Sequence, residues 1–369
     1  MSRNDGALGD GDANRSGTGL RRRALLAATG TALVGATAGC GLLESQSVRS
    51  PPVVKNRPSA VYYPSHIEGM AMAGMGRAGR YRFGLTYSFP HRFWLINGDR
   101  RNRVELDGST DVHLMLTAWD DETGRVLPAS TNSVTLRTDG ERVVDRRLWP
   151  MLSQNMSVHF GDNVPLSGEG TYEATVEVGP LGYRRSGALA GAFESAGEAT
   201  VEFEFSQSTL DDVMYRTLDE QAGERGAVTP MQMDMMPVAG TPSEDAMPGS
   251  LLGTVRSGDA RLVATRLSSP PAGVEGPGPY LAVSARTPHN GYPLPFMGLT
   301  ATVTQDGTDR EADLVETLDD ALGHHYGAVL DADAAIEGLV LDPGAPPQIA
   351  RHEGYETAFL GMSTEALEP

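Results

Sequence analysis

Cysteine is almost missing from this 369-residue chain, where Cys40 stands alone. One thiol excludes a disulfide framework and any zinc site built from several thiolates. Lysine is as scarce: Lys55 is the only one among 30 basic residues, the rest being arginine. Asp and Glu number 48, which sets the net charge at −18 and the sequence pI near 4.8. A nucleic-acid binder needs clustered basic residues to neutralise phosphates, so that class is excluded. An acidic chain nearly without lysine points to a protein solvated for very high salt. Catalytic signatures are missing too, with no G-x-S-x-G elbow, no H-E-x-x-H helix and no G-x-x-x-x-G-K loop. Paired carboxylates such as Asp120-Asp121 and Asp211-Asp212 carry no weight in so acidic a background. The expectation is a binding protein, not an enzyme.

Long apolar runs are also missing. The longest, Ala24 to Gly39, is short of the roughly 20 residues that span a bilayer. It follows Leu20-Arg21-Arg22-Arg23, and basic residues before a short apolar stretch form a secretory leader. The paired arginines indicate twin-arginine export. The stretch closes on Thr37-Ala38-Gly39-Cys40, which resembles a lipoprotein cleavage box with Cys40 as the lipidated residue. Residues 1–40 hold five arginines and three aspartates, so they carry +2 and the remainder carries −20. The expected location is extracytoplasmic, anchored to the outer face of the cell membrane. Residues 41–60 are polar and contain proline, which suits a tether.

What is present is alternation. Tyr81, Phe83, Leu85, Tyr87 and Phe89 share one face opposite Arg82, Gly84, Thr86 and Ser88, the period of a half-buried strand. Val112, Leu114, Leu116 and Ala118 repeat the pattern, as do Tyr172 to Val178 and Val201 to Phe205. Strands resume at Ser250–Val255, Arg261–Leu267, Tyr280–Arg286 and Leu299–Thr304. The fold class read from this is all-β: two antiparallel β-sandwiches over 61–215 and 250–369. Residues 216–249, rich in Gly, Pro and Met, read as a linker with little structure. Three short matches make the second half a diverged copy of the first. Phe89-Pro90-His91 recurs as Thr287-Pro288-His289, Leu116-Thr117-Ala118 as Leu299-Thr300-Ala301, and Val158-His159-Phe160-Gly161 as His324-His325-Tyr326-Gly327.

Methionine and histidine cluster where metal chemistry would want them. His66 precedes Glu68, Met70, Met72 and Met75, while Met151 and Met156 precede His159. Thioether sulfur suits copper(I), imidazole serves copper, zinc and iron, and a carboxylate such as Glu68 moves the preference toward harder ions. The segment Met231, Met233, Met235 and Met236 is a second, copper-like candidate. Met115 and Met297 read as core filler. His113 lies opposite the apolar face of its strand and is expected to be exposed. His324 and His352 are expected to be structural.

Residues from about Glu68 to Asp212 resemble small periplasmic iron-transport proteins, immunoglobulin-like sandwiches that accompany iron permeases. The resemblance rests on Trp149-Pro150-Met151-Leu152, on His159-Phe160-Gly161-Asp162-Asn163-Val164, and on Gly168-Glu169-Gly170-Thr171-Tyr172-Glu173-Ala174. The opening Ser65-His66-Ile67-Glu68-Gly69-Met70 and the step Pro90-His91-Arg92-Phe93-Trp94 are similar to haloarchaeal lipoproteins. The resemblance implies immunoglobulin-like sandwiches and a transition metal, iron or copper, held between loops by methionine and histidine. Its loop ligands carry over to Met151 and His159, and its strand-end histidine to His91, with His66 the competing choice. A further family histidine after the Tyr172 strand has no counterpart, since Tyr183-Arg184-Arg185 stands there. Glu68, Met70, Met72 or Met156 are the candidates to fill that gap. In the second half His289 and His325 correspond, with Thr317 in place of Met151. The function implied is metal uptake or delivery, with a non-catalytic surface interaction protein as the alternative. The implied partners are the membrane through the lipid anchor, a metal permease and a second copy of the chain.

Overall fold

The computed structural model describes residues 51–368 apart from 129, 332 and 333. The leader, the Cys40 anchor and the first part of the tether lie outside the described residues. The described residues belong to one compact unit. Within the described residues the chain is all-β; the one α-helix is Gln207–Asp211, capped by the Ser206 side chain accepting from the Thr209 amide. No helix among the described residues is long and apolar enough to cross a membrane.

The alternating segments form strands as their period requires. Ala71–Ala78, Tyr81–Ser88, Val112–Asp120, Ser157–Val164 and Trp149–Ser153 lie side by side, all antiparallel, in the larger sheet of the first half. Its apolar face, with Phe83, Leu85, Tyr87, Leu114, Leu116 and Phe160, packs on a second sheet of Gly197–Phe205, Gly170–Leu181, Ser130–Thr138 and Glu141–Arg147. Val134, Leu136, Tyr172, Ala174, Val176 and Phe203 answer from that side. Two stacked sheets with interdigitated inner faces are a β-sandwich. The second half repeats it: Leu262, Ala264, Leu281, Val283 and Tyr326 face Leu299, Ala301, Val303, Leu339 and Leu341.

The duplication is visible in the strand order. Ser250–Ser257, Ala260–Leu267, Tyr280–Arg286, Gly323–Val329 and Val315–Asp319 succeed one another as the first-half strands do. Met151 pairs with His159 in one hairpin and Thr317 with His325 in the other. Even the irregularities match, because the first strand of each sheet is bulged, between Met72 and Gly74 and between Leu251 and Gly253. This register keeps the third sequence match and corrects the other two. The bridges Trp119↔Val126 and Arg286↔Pro293 align Tyr280–Arg286 with Val112–Asp120. His289 therefore stands at the position of Glu122 in an exposed turn, not at that of His91. Leu299-Thr300-Ala301 belongs to the four-stranded sheet, whereas Leu116-Thr117-Ala118 belongs to the large one. Three-residue identities cannot distinguish strands of the same amphipathic pattern.

The two halves exchange a strand. Ala350–Arg351, from near the C-terminus, adds parallel to Trp149–Ser153 of the first half. Arg184–Ser186 adds parallel to Val315–Asp319 of the second. Each short strand thus crosses the boundary drawn from composition. The methionine-rich segment is irregular in backbone but packed: Met236 and Met247 are buried, and a Cβ placed on Gly84 would lie 2.1 Å from the Met236 sulfur. Residues 51–60 also lie on the body. Arg92 donates to the Pro51 carbonyl at 2.8 Å, and the Val54 amide donates to Glu353 at 3.1 Å.

Candidate metal centre

Register places the first donors. Ser157–Val164 runs between Val112–Asp120 and Trp149–Ser153, pairing Asn163 with His113 on one side and His159 with Met151 on the other. His159 and Met151 are fully buried. His113 is 0% exposed, which corrects the expectation of an exposed side chain. Val112–Asp120 is buried along its whole length because the sheet is covered on both faces, so alternation there separates two interiors.

The exchanged strand brings the next donor. The His352 amide donates to the Leu152 carbonyl at 3.0 Å, and the His352 Nε2 lies 3.3 Å from the Met151 sulfur. His91 arrives from the loop after Tyr81–Ser88 and is clipped by Asn163, whose Nδ2 donates to the His91 carbonyl at 2.9 Å. One ring nitrogen from each of His91, His113 and His352 lies within 4.8 Å of the others. The His159 ring stands 5.3 Å from that of His352 between centroids. Glu68 flanks the group, its Oε2 3.3 Å from the His91 Nδ1 while its Oε1 accepts the Phe89 amide.

The hydrogen bonds fix the tautomers. The His159 Nδ1 faces the Ser157 carbonyl at 3.1 Å, and the His113 Nδ1 faces the Asn163 Oδ1 at 2.8 Å. A carbonyl oxygen only accepts, so both Nδ1 atoms carry the proton and both Nε2 atoms keep a lone pair. These two Nε2 atoms are buried and have no hydrogen-bond partner. Orphaned buried acceptors are costly unless something binds them. A carbonyl holding the far nitrogen is also how metal-ligating histidines are oriented. Burial pushes the His91 pKa down to about 3 and that of His159 to about 4. It drives His113 and His352 well below the ordinary histidine value, with repulsion from neighbouring imidazoles adding to the effect. All four are neutral at pH 7, the form that ligates. The residues present fit a transition metal.

Gly161 makes the room. A Cβ there would lie 2.8 Å from the His113 Nε2 and 3.2 Å from the Met151 sulfur, at ordinary backbone φ. Gly161→Ala is therefore expected to keep the fold and weaken metal binding by ~10-fold or more, the scale of displaced ligand support. Unchanged affinity in a calorimetric titration would contradict the assignment.

The sequence-derived candidates largely converge. His66, Glu68, Met70, His91, Met156 and His159 line one cavity, joined there by His352 and by Met115, which is buried as expected. Met151 is the wall behind His352. His66 is held by the Ser65 hydroxyl at 2.9 Å and stacks on Tyr215. Met231 reaches the rim through its amide, which donates to the Asn155 carbonyl at 2.9 Å. His289 is remote and exposed, and Cys40 is outside the described residues. Sequence reasoning missed His113 and His352. The first could have been found from its pairing with Asn163, inside a motif already singled out; the second depends on strand exchange and left no local signal. His324, read as structural, is buried against Glu316 at 2.8 Å.

A family model described as a domain of unknown function, DUF7350, matches residues 245–368. No curated protein matches the chain by sequence. Among solved structures, the chain is similar to a copper-bound variant of FetP from uropathogenic Escherichia coli strain F11, at 20% identity over 38% of this chain and 93% of that one, with a TM-score of 0.29. It is likewise similar to the copper-reconstituted P19 protein of Campylobacter jejuni, at 16% identity over 37% of this chain and 97% of that one, with a TM-score of 0.29.

Proposed function

We propose that the chain is a transition-metal carrier, exported by its twin-arginine leader and held to the outer face of the membrane through Cys40. Its site takes up one ion and passes it on, without transforming a substrate. The observation that carries this reading is the meeting of His91, His113 and His352, one ring nitrogen of each within 4.8 Å of the others, with His352 against the Met151 sulfur and the Nε2 atoms of His113 and His159 orphaned. Neutral imidazoles with one thioether favour copper, and Glu68 at the edge supplies the harder oxygen that iron would use. A permease in the same membrane is the receiver such a carrier needs.

Metal loading tests it. The purified chain, loaded with copper(I), copper(II), iron(II) or zinc(II) and dialysed, is expected to retain ~1 equivalent of copper and less of the others. Retention of no ion above about a tenth of an equivalent would sink the carrier reading. Binding that survives loss of Met151 and His159 but not of Met231 to Met236 would move the site to the methionine-rich segment.

A further inference from the structure

Because the halves share strand order and register, the metal-site positions borne on the shared strands have counterparts in the second half. His159 corresponds to His325 and Met151 to Thr317, each pair facing one another across its hairpin. Asn163 pairs with His113 in the first sheet and Val329 with Tyr280 in the second, so Tyr280 stands where His113 does. Gly161 corresponds to Gly327, the residue opposite Trp149 in one hairpin and Val315 in the other. The exchanged strands correspond as well: Ala350 lies beside Met151 and Arg184 beside Thr317, both parallel. The two sites differ most at this last pair. A methyl group leaves the first cavity open, while an arginine enters the second.

Two nitrogens of the arginine head are engaged there. Its Nε donates to the Thr317 hydroxyl at 2.9 Å, and its Nη2 donates to the Tyr280 hydroxyl at 3.0 Å and to the Gly327 carbonyl at 2.7 Å. Tyr280 in turn lies 3.0 Å from the His325 Nε2, whose ring is fixed by Nδ1 donating to the Gly323 carbonyl at 3.0 Å. The His325 ring thus keeps the pose of His159, down to the carbonyl two residues before it. Its Nε2 meets a hydroxyl where that of His159 is orphaned.

We infer that the second half holds the counterpart of the metal centre with the Arg184 guanidinium in place of the ion, a covalently attached cation that locks the exchanged strand and leaves the chain with one metal site. The guanidinium answers the same need as a metal, supplying positive charge to a ring of inward-facing donors, but it cannot leave. One half is then a site that exchanges its cation and the other a permanent clasp between the halves. The count of one metal rests on the proposed function; the clasp does not.

Two measurements separate them. Arg184→Ala leaves Thr317, Tyr280 and the Gly327 carbonyl without their donor, and is expected to lower Tm by roughly 5 °C while leaving metal stoichiometry unchanged. Arg184→Lys keeps the charge without the fork and should lose part of that stability, which provides a readout should the alanine variant not fold. A wild-type Tm in either variant overturns the clasp. The triple variant Arg184→Ala, Tyr280→His, Thr317→Met, made in a His113→Ala, His352→Ala background, restores first-half donors around His325 and is expected to bind ~1 equivalent of copper(II). A folded variant that binds none overturns the placement of the guanidinium in the ion's position. Failure of the wild-type chain to bind metal, with the Tm effects intact, would reject the carrier reading alone.

Discussion

His352→Ala is expected to weaken metal binding by ~100-fold or more, although His352 lies far along the chain from every other donor. The reason is the exchange: Ala350–Arg351 adds to the first-half sheet beside Met151 and Leu152, and the next residue turns its ring onto the Met151 sulfur. The His352 ring stands 5.1 Å from that of His91, 5.4 Å from that of His113 and 5.3 Å from that of His159, so it touches the whole group. Its removal deletes a donor whose ring nitrogen lies within 4.8 Å of those of His91 and His113. The metal-free fold should tolerate the change, because the backbone amide of residue 352 still donates to Leu152. His113→Ala should behave alike, and His289→Ala, in its exposed turn, should bind as the parent does. Copper titrations with circular dichroism as the folding control decide this. A His352→Ala chain that is folded and binds within threefold of the parent would remove His352 from the site.

The fold was largely legible because strands announce themselves through a period of two. Tyr81 to Phe89 and Tyr172 to Val178 were both read as half-buried strands; Tyr172 to Val178 is one, whereas Tyr81–Ser88 is buried on nearly every residue, and the two face each other across one core. Metal chemistry was legible where donors sit near one another in sequence, as Met151 and His159 do across a tight hairpin. The illegible parts have one physical origin, which is that tertiary contact is not local. His113 was read as solvent-facing because half-buried sheets put polar residues outward, yet its sheet is covered on both sides. The histidine sought after the Tyr172 strand was missing there for a related reason. Residues 184–186 pair with the second half, and the other exchanged segment brings His352 against Met151. A reader of the linear sequence looks for the ligand in the half that needs it. Strand exchange puts it in the other.

The metal-free chain is expected to lose stability steeply as pH falls below 6.5 and to unfold near about pH 5. The sign follows from direction. His91, His113, His159, His325 and His352 all have pKa values lowered in the folded state, chiefly by burial. Between the folded values, about 3 for His91 and about 4 for His159 and His325, and the ordinary 6.5, the unfolded chain binds the more protons. Stability therefore rises with pH across that window and is complete above 6.5. Each such histidine contributes up to ~1.4 kcal/mol per pH unit, and several together exhaust a typical reserve of ~5–15 kcal/mol within two units. Carboxylates do not produce the window: Asp120, although its burial opposes this, is held low by its Arg80 and Thr123 hydrogen bonds and its stabilisation is lost only at more acid pH, while burial raises Asp162 and Glu356, a shift of the opposite sign. Bound metal should shift the midpoint downward, because protons must then displace the ion before they can charge the rings. His352→Ala should shift it downward in the metal-free chain as well, by removing one proton acceptor and its repulsion of the others. Acid titrations followed by circular dichroism, with and without chelator, measure all three midpoints. A metal-free chain whose stability is flat from pH 6.5 to about 4.5 would show that these imidazoles are not held neutral by burial.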